Sequence, residues 1–273
     1  MKLSIITINR NNAAGLEKTM QSVASQTFKE FEYIVIDGAS TDGSVEVIEK
    51  YESKFEHLKW ISEPDRGIYN AMNKGIRTAE GDYCQFLNSG DFLALESVVA
   101  NMLKTLETNN YPDVLYGNMR KQYVKGKTFL DNCGATDEVT LNMFYHGCLN
   151  HSPAYIKKCL FDKYGMYDET LEICSDWKFY MQSIVLGDAV VKYVDIVVTV
   201  FDMGGISETR KDILIEERNR LLHEMIPRGI LKDYDTYHYP ISQYIRLKKH
   251  HLWWLVSFVE RVLFKFEKWH IFK

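Results

Sequence analysis

The sequence predicts an α/β fold: a mostly parallel sheet with helices on both faces, followed by a helical extension. Three observations carry that prediction. Within residues 1–91, short apolar or β-branched runs alternate with segments of helical period, the pattern of a doubly wound parallel sheet. Each run halts at a polar or acidic turn, which puts chemistry at the carboxyl edge of the sheet, where open α/β folds bind ligands. The end of the chain then becomes basic and aromatic.

Leu3 to Ile8 reads as the first strand and Asn9-Arg10-Asn11-Asn12 as its loop, after which Leu16, Met20, Val23 and Ala24 share one helical face. Phe31 to Ile36 repeats the strand, Asp37 to Gly43 the turn, and Val45, Val47, Ile48 and Tyr51 the helix, capped by Ser40 or Asp42. Leu58 to Ser62 is a third strand, and Glu63-Pro64-Asp65-Arg66-Gly67 opens a helix reaching about Thr78. Asp82 to Asn88 is the fourth strand and delivers Asn88-Ser89-Gly90-Asp91 to the sheet edge. Taken alone that segment also reads as a simple turn.

Beyond it the spacing predicts a helix over about 95–107, a strand at Val114 to Tyr116 and a polar hairpin within 121–138. A short helix at Ile156 to Phe161 follows, then a helix starting at Cys174-Ser175-Asp176-Trp177 and one or two strands in Val190 to Val200. Gly204 to Ser207 caps a charged helix ending near Met225.

With 46% hydrophobic and 26% charged residues in 273, the chain can bury a full core and is not disordered. Its net charge of -4 gives no global attraction to nucleic acid. The five cysteines are odd in number and hold no C-x-x-C pair, which disfavours a disulfide framework or a zinc site and suits a reducing cytoplasm.

Four segments carry a resemblance: Leu3-Ser4-Ile5-Ile6-Thr7, Ile36 to Ser44, Asp65 to Gly75, and Gly81-Asp82-Tyr83 leading into Phe86 to Asp91. Each is weak alone, but in this order and spacing residues 1 to 225 resemble an inverting, GT-A-fold glycosyltransferase of family 2, of the bacterial polysaccharide-biosynthesis type. The resemblance implies a domain at 1–225, with a nucleotide-sugar-binding half at 1–91 and an acceptor-side half at 92–225, and a C-terminal extension at 226–273. It implies a nucleotide-diphosphate sugar, most often a UDP-sugar, as donor.

On that resemblance Thr7 and Asp37, at adjacent strand ends, bond the edge of a uracil ring; capping of loops is the alternative for both. Asn9, Asn88 and Ser89 sit at the same edge and join the donor set. Asp65 and Arg66 precede a helix N-terminus suited to phosphates or nucleotide polar groups, with a surface ion pair as the other reading of Arg66. Asn70, Asn73 and Lys74 share a helical face, and Asn73 either meets the donor or braces the loop carrying Asp91. Many members carry D-x-D at the end of the fourth strand. Here Asn88 and Gly90 fill those positions and only Asp91 is acidic, so the implied Mg²⁺ or Mn²⁺ is held by one carboxylate, diphosphate and water.

For inversion a base must face the acceptor hydroxyl, and the resemblance assigns Asp176, with Asp168 and Glu169 as alternatives. Trp177 beside it either stacks on a sugar face or anchors the core. His151 either approaches the diphosphate or is structural.

Between Leu252 and Phe266, aliphatic residues line one helical face and Arg261, Lys265 and Lys268 another. No uncharged run reaches the roughly 20 residues of a membrane span, so the expected place of this face is against the enzyme body, in a membrane interface, giving peripheral attachment at the inner face of the cytoplasmic membrane, or against a second copy in a homodimer. The function expected is transfer of a hexose or N-acetylhexosamine to a saccharide or lipid-linked saccharide in surface polysaccharide synthesis. A catalytically weak binding or scaffold protein is one alternative. A nucleotidylyltransferase is another, but no Gly-rich, basic triphosphate loop follows the first strand.

Overall fold

Four strands, β1 (Leu3–Asn9), β2 (Glu32–Asp37), β3 (Leu58–Ser62) and β4 (Tyr83–Phe86), pair in parallel in the order β3-β2-β1-β4. All seven residues of β1 are buried, so its two faces pack against different layers. Leu3 and Ile5 join a core with Leu16 and Met20 of α1 (Ala13–Ala24) and Ile48 of α2 (Ser44–Glu52). Ile6 points the other way, onto α3 (Ile68–Thr78): a Cβ on Gly75 would lie 2.4 Å from Ile6 Cγ2, so this helix can approach the sheet only because residue 75 has no side chain. The computed structural model describes residues 2–123, 126–205, 209–250 and 253–271.

After β4 come β5 (Phe92–Leu93), α4 (Val98–Thr108), β6 (Val114–Gln122), β7 (Thr128–Asp131), α5 (Leu141–His146) and β8 (Ala154–Lys157). Next are α6 (Cys159–Tyr164), α7 (Ser175–Tyr180), which runs on into a π-helical turn at Met181–Val185, and β9 (Val191–Asp202). β8 lies antiparallel between β4 and β6, β9 runs parallel to β6, and β5 closes the far edge, giving the order β3-β2-β1-β4-β8-β6-β9-β5 with β7 on β6.

The α/β class, the first four strands and the three helices between them are as the sequence predicts, except that the residue capping α2 is Gly43 rather than Ser40 or Asp42. The expected helix at Ile156 to Phe161 is instead the last residues of β8, a turn and the start of α6. Ala154, Tyr155 and Ile156 are all fully buried, because this strand has neighbours on both edges and both faces, and such a run shows no alternation to mark it as a strand. The expected hairpin is β6–β7, with register Met119↔Asp131 to Gln122↔Thr128; residues 124–125 at its tip lie outside the described residues. The expected one or two strands in Val190 to Val200 are a single strand, β9, over Val191–Asp202. The expected cap at Ile206 and Ser207 also falls outside the described residues, and the helix is seen from Lys211 as α8 (Lys211–Met225).

The chain divides into two compact units, Met1–Arg218 and Asn219–Lys273. The second holds α9 (Arg228–Lys249), with Pro240 inside it, and α10 (Trp253–Ile271). On α10 Leu255, Val259 and Leu263 are 40%, 51% and 54% exposed, beside equally exposed Trp254, Phe258 and Phe264; Leu252 is outside the described residues. No described helix is long and apolar enough to cross a membrane.

Candidate active site

The turn after β4 is shaped by Gly90, whose φ of 105° is one that L side chains rarely adopt. An aspartate there would be strained, which is a physical reason for this chain's lack of an acidic residue at 90. The turn buries Asp91 to 4% exposure. Its Oδ1 accepts the Asp202 N–H at 3.0 Å, and burial pushes its carboxyl up to about 7, with the nearby Asp202 charge adding to the rise. Asn88 Oδ1 is buried with no hydrogen-bond partner.

Asn88 and Asp91 open onto a cleft of about 590 Å³, and Asp176 and Arg218 line the same cleft. Asp176 lies in the first turn of α7. Its Oδ1 accepts the Trp177 N–H at 2.9 Å and the Tyr69 hydroxyl at 3.0 Å; Tyr69 Oη also meets Ile173 O. Burial, then the Asp176 charge, pushes the Tyr69 phenol well above its usual range, so it stays a donor. Tyr69 thereby ties α3 to Asp176.

The other two candidate bases are occupied. Burial alone would raise Asp168, but Lys178 at 2.6 Å and the hydroxyl and N–H of Thr170 at 2.6 and 2.9 Å hold it at about 2. Glu169 accepts Asn73 at 3.0 Å and Asn70 at 2.8 Å and pairs with Arg66 at 3.1 Å, and these contacts outweigh burial to hold it below the usual carboxylate range. Neither residue lines the cleft.

A profile of the Glycosyl transferase family 2 matches residues 4–178. The chain belongs to that family. Among curated relatives, an uncharacterized glycosyltransferase of Mycobacterium tuberculosis is 32% identical over 233 residues, 83% of this chain and 86% of that one. A PGL/p-HBAD biosynthesis glycosyltransferase of Mycobacterium bovis is 28% identical over 211 residues, 77% and 80% of the two chains. Residues 1–349 of S. aureus TarS in complex with UDP-GlcNAc superpose with a TM-score of 0.64 at 20% identity, covering 93% of this chain and 78% of that one. This chain spans 42% of the longer TarS chain. A mannosyltransferase from Pyrobaculum calidifontis, in complex with GDP-Man and Mn²⁺, gives a TM-score of 0.56 at 17% identity, covering 73% and 56%. The structural likenesses show a GT-A fold, and membership of the family makes the chain a glycosyltransferase.

Several residues expected at the donor have partners within the protein. Thr7 is fully buried, its hydroxyl bonded to Leu87 O at 2.7 Å and within 3.0 Å of Tyr33 Oη. Asp37 is fully buried too, its oxygens filled by Asn9 Nδ2, Ser40 and Ser62. Both are bonded within the protein in this structure. Asn9 is part of that same network and Ser89 bonds Asn12, so both brace loops. Asp65 pairs with Lys74 at 2.6 Å. Asn73 exchanges bonds with the backbone of Tyr167, bracing the 167–169 loop rather than that of Asp91. Arg66 is in its ion pair. Trp177, 1% exposed, bonds Phe144 O and Gly147 O through Nε1 and cannot stack on a sugar; it is a core anchor. His151 lines the cleft, but its Nε2 meets Tyr167 Oη at 2.7 Å, its ring stacks on Phe86, and burial lowers its pKa. A neutral imidazole adds no charge toward a diphosphate.

Sequence reasoning missed Tyr69, Arg218, Cys133, Cys148 and Cys174 on the cleft, and Glu217, which bonds the backbone of residues 172–174 behind it. Tyr69 sits inside a quoted motif, yet only the fold shows that its hydroxyl reaches Asp176. Glu217 and Arg218 read in sequence as part of a solvated charged helix.

The described residues contain no group of three or more His, Cys, Asp and Glu able to hold a metal. A hard cation still fits here: a buried carboxyl at Asp91 and an unpartnered amide oxygen at Asn88 are both oxygen donors opening on one cleft.

Proposed function

We propose that this family 2 enzyme transfers a sugar with inversion from a UDP-sugar to a saccharide carrying an apolar portion, with Asp176 as general base. The observation that carries this reading is that Asp91 and Asp176 share one cleft while Asp168 and Glu169 are engaged elsewhere. A donor whose diphosphate lies at Asp91 presents its anomeric carbon toward the acceptor side, and a carboxylate there takes the hydroxyl proton as the glycosidic bond forms. Tyr69 orients that carboxylate. Mg²⁺ or Mn²⁺ held by Asp91 and Asn88 would neutralise charge developing on the leaving diphosphate.

The uridine assignment rests on the TarS likeness, since Thr7 and Asp37 are occupied. For the acceptor, Ile68, Met72, Met119, Met143 and Phe201 give the cleft apolar walls, which suit a lipid-linked saccharide. Calorimetry with UDP and GDP, followed by UDP release from UDP-GlcNAc and UDP-hexoses, tests the donor. UDP should bind more tightly and be released on turnover; equal or tighter GDP binding overturns the uridine assignment.

We also propose that the second unit attaches the enzyme peripherally to the inner face of the cytoplasmic membrane. Support comes from exposed Trp254, Phe258 and Phe264 beside Arg261 and Lys265 on α10, since each basic residue near an anionic surface contributes about 1 kcal/mol. Flotation on anionic liposomes should fall with Trp254→Ala plus Phe258→Ala and with added salt. Unchanged flotation with a changed sedimentation mass would make the helix a homodimer contact instead.

A further inference from the structure

Glu217 is 8% exposed on a helix whose composition suggests a solvated face. Its carboxylate accepts three consecutive backbone N–H groups: Glu172 at 2.6 Å on Oε1, and Ile173 at 3.0 Å and Cys174 at 2.9 Å on Oε2. Successive N–H groups converging on one anion form a concave nest, and bonds to an ionised acceptor are about twice as strong as neutral ones.

The turn held in this way leads directly to Asp176. Ile173 O accepts Tyr69 Oη, and Tyr69 in turn bonds Asp176. On the other side the next helical residue, Arg218, donates to Gly147 O at 2.8 Å and lies 5.8 Å from the centre of the Trp177 ring. Gly147 O also accepts Trp177 Nε1. Two adjacent residues of α8 therefore grip the backbone before Asp176 and the anchor after it.

We infer that Glu217 is a positioning residue: by fixing the 172–174 turn it sets where the Asp176 carboxylate meets the acceptor hydroxyl. A carboxylate on α8, far from Asp176 in sequence, thus governs the rate without touching substrate. The inference rests on Asp176 as the base, and its test separates the two. Glu217→Gln keeps the size but turns an amide N–H₂ toward a nest of donors, so at least one N–H loses its partner.

Turnover is measured for the wild type, Glu217→Gln, Asp176→Asn and the double variant, all full-length. Each is counted per molecule that binds UDP by calorimetry, so a misfolded fraction does not enter. Glu217→Gln should lower kcat by about tenfold to a hundredfold with donor affinity unchanged, and should add less than about twofold in the Asp176→Asn background, because groups acting as a unit are not additive. Unchanged kcat, an equal loss in both backgrounds, or a loss confined to donor affinity overturns the positioning role. If Asp176→Asn itself keeps wild-type turnover, the base assignment falls and takes this inference with it.

Discussion

Asp176→Asn should lower turnover about a hundredfold to ten-thousandfold while donor affinity and melting temperature stay near the wild-type values. Asparagine has the shape of aspartate and its Oδ1 can still accept the Trp177 N–H and the Tyr69 hydroxyl, so the local bonds at 2.9 and 3.0 Å survive. What it lacks is basicity. A steady-state assay of UDP release, paired with a thermal melt, checks this. Retained turnover rejects the role; turnover and folding failing together makes Asp176 a helix-start brace. Asp168→Asn is then the informative control, because losing the Lys178 pair at 2.6 Å should affect stability more than chemistry.

The first half of the fold was legible because its strands and helices are short, periodic and punctuated. Leu3 to Asn9 and Glu32 to Asp37 are buried runs ended by polar turns, and the helices between them show their apolar face every third or fourth residue. The second half was less so. β5 has two residues, and β8 is a buried four-residue strand between antiparallel neighbours; neither length nor alternation announces such elements. α5 is six residues long. Their positions follow from the sheet they complete, not from their own residues.

The site divides in the same way. That Asp91 and Asp176 are acidic residues at a strand end and at a helix start was legible, and the fold brings both to one cleft. The internal bonds of Thr7 and Asp37 were not legible, because the same location also demands loop bracing, and Tyr33, Ser40 and Ser62 satisfy them internally. Polar residues at a sheet edge have two possible employers, and sequence spacing does not distinguish them. Asn73 shows the same ambiguity on a helix: its amide is spent on Tyr167.

Asp91→Asn should separate function from stability with opposite signs. In the folded protein burial lifts the Asp91 carboxyl from its usual 3.8 to about 7, so its contribution to stability is complete below the usual value and is lost as pH rises through about 7. Above that pH the ionised carboxylate works against the fold. The neutral amide does not, and its oxygen can keep the Asp202 N–H. Without metal, the variant should therefore melt at or above the wild-type temperature at pH 8, and the difference should shrink toward pH 5. Function should move the other way. A cation offsets the buried charge, so Mn²⁺ with UDP should raise the melting temperature of the wild type at pH 8 by mass action and leave the variant nearly unmoved, with turnover severely reduced. Melts at pH 5 and 8, with and without Mn²⁺ and UDP, read both effects. Should the variant keep its metal-dependent shift and full activity, or should chelator leave the wild type unaffected, the diphosphate is neutralised by a side chain. Arg218, whose guanidinium lines the cleft with Nε unpartnered, is then the first to replace.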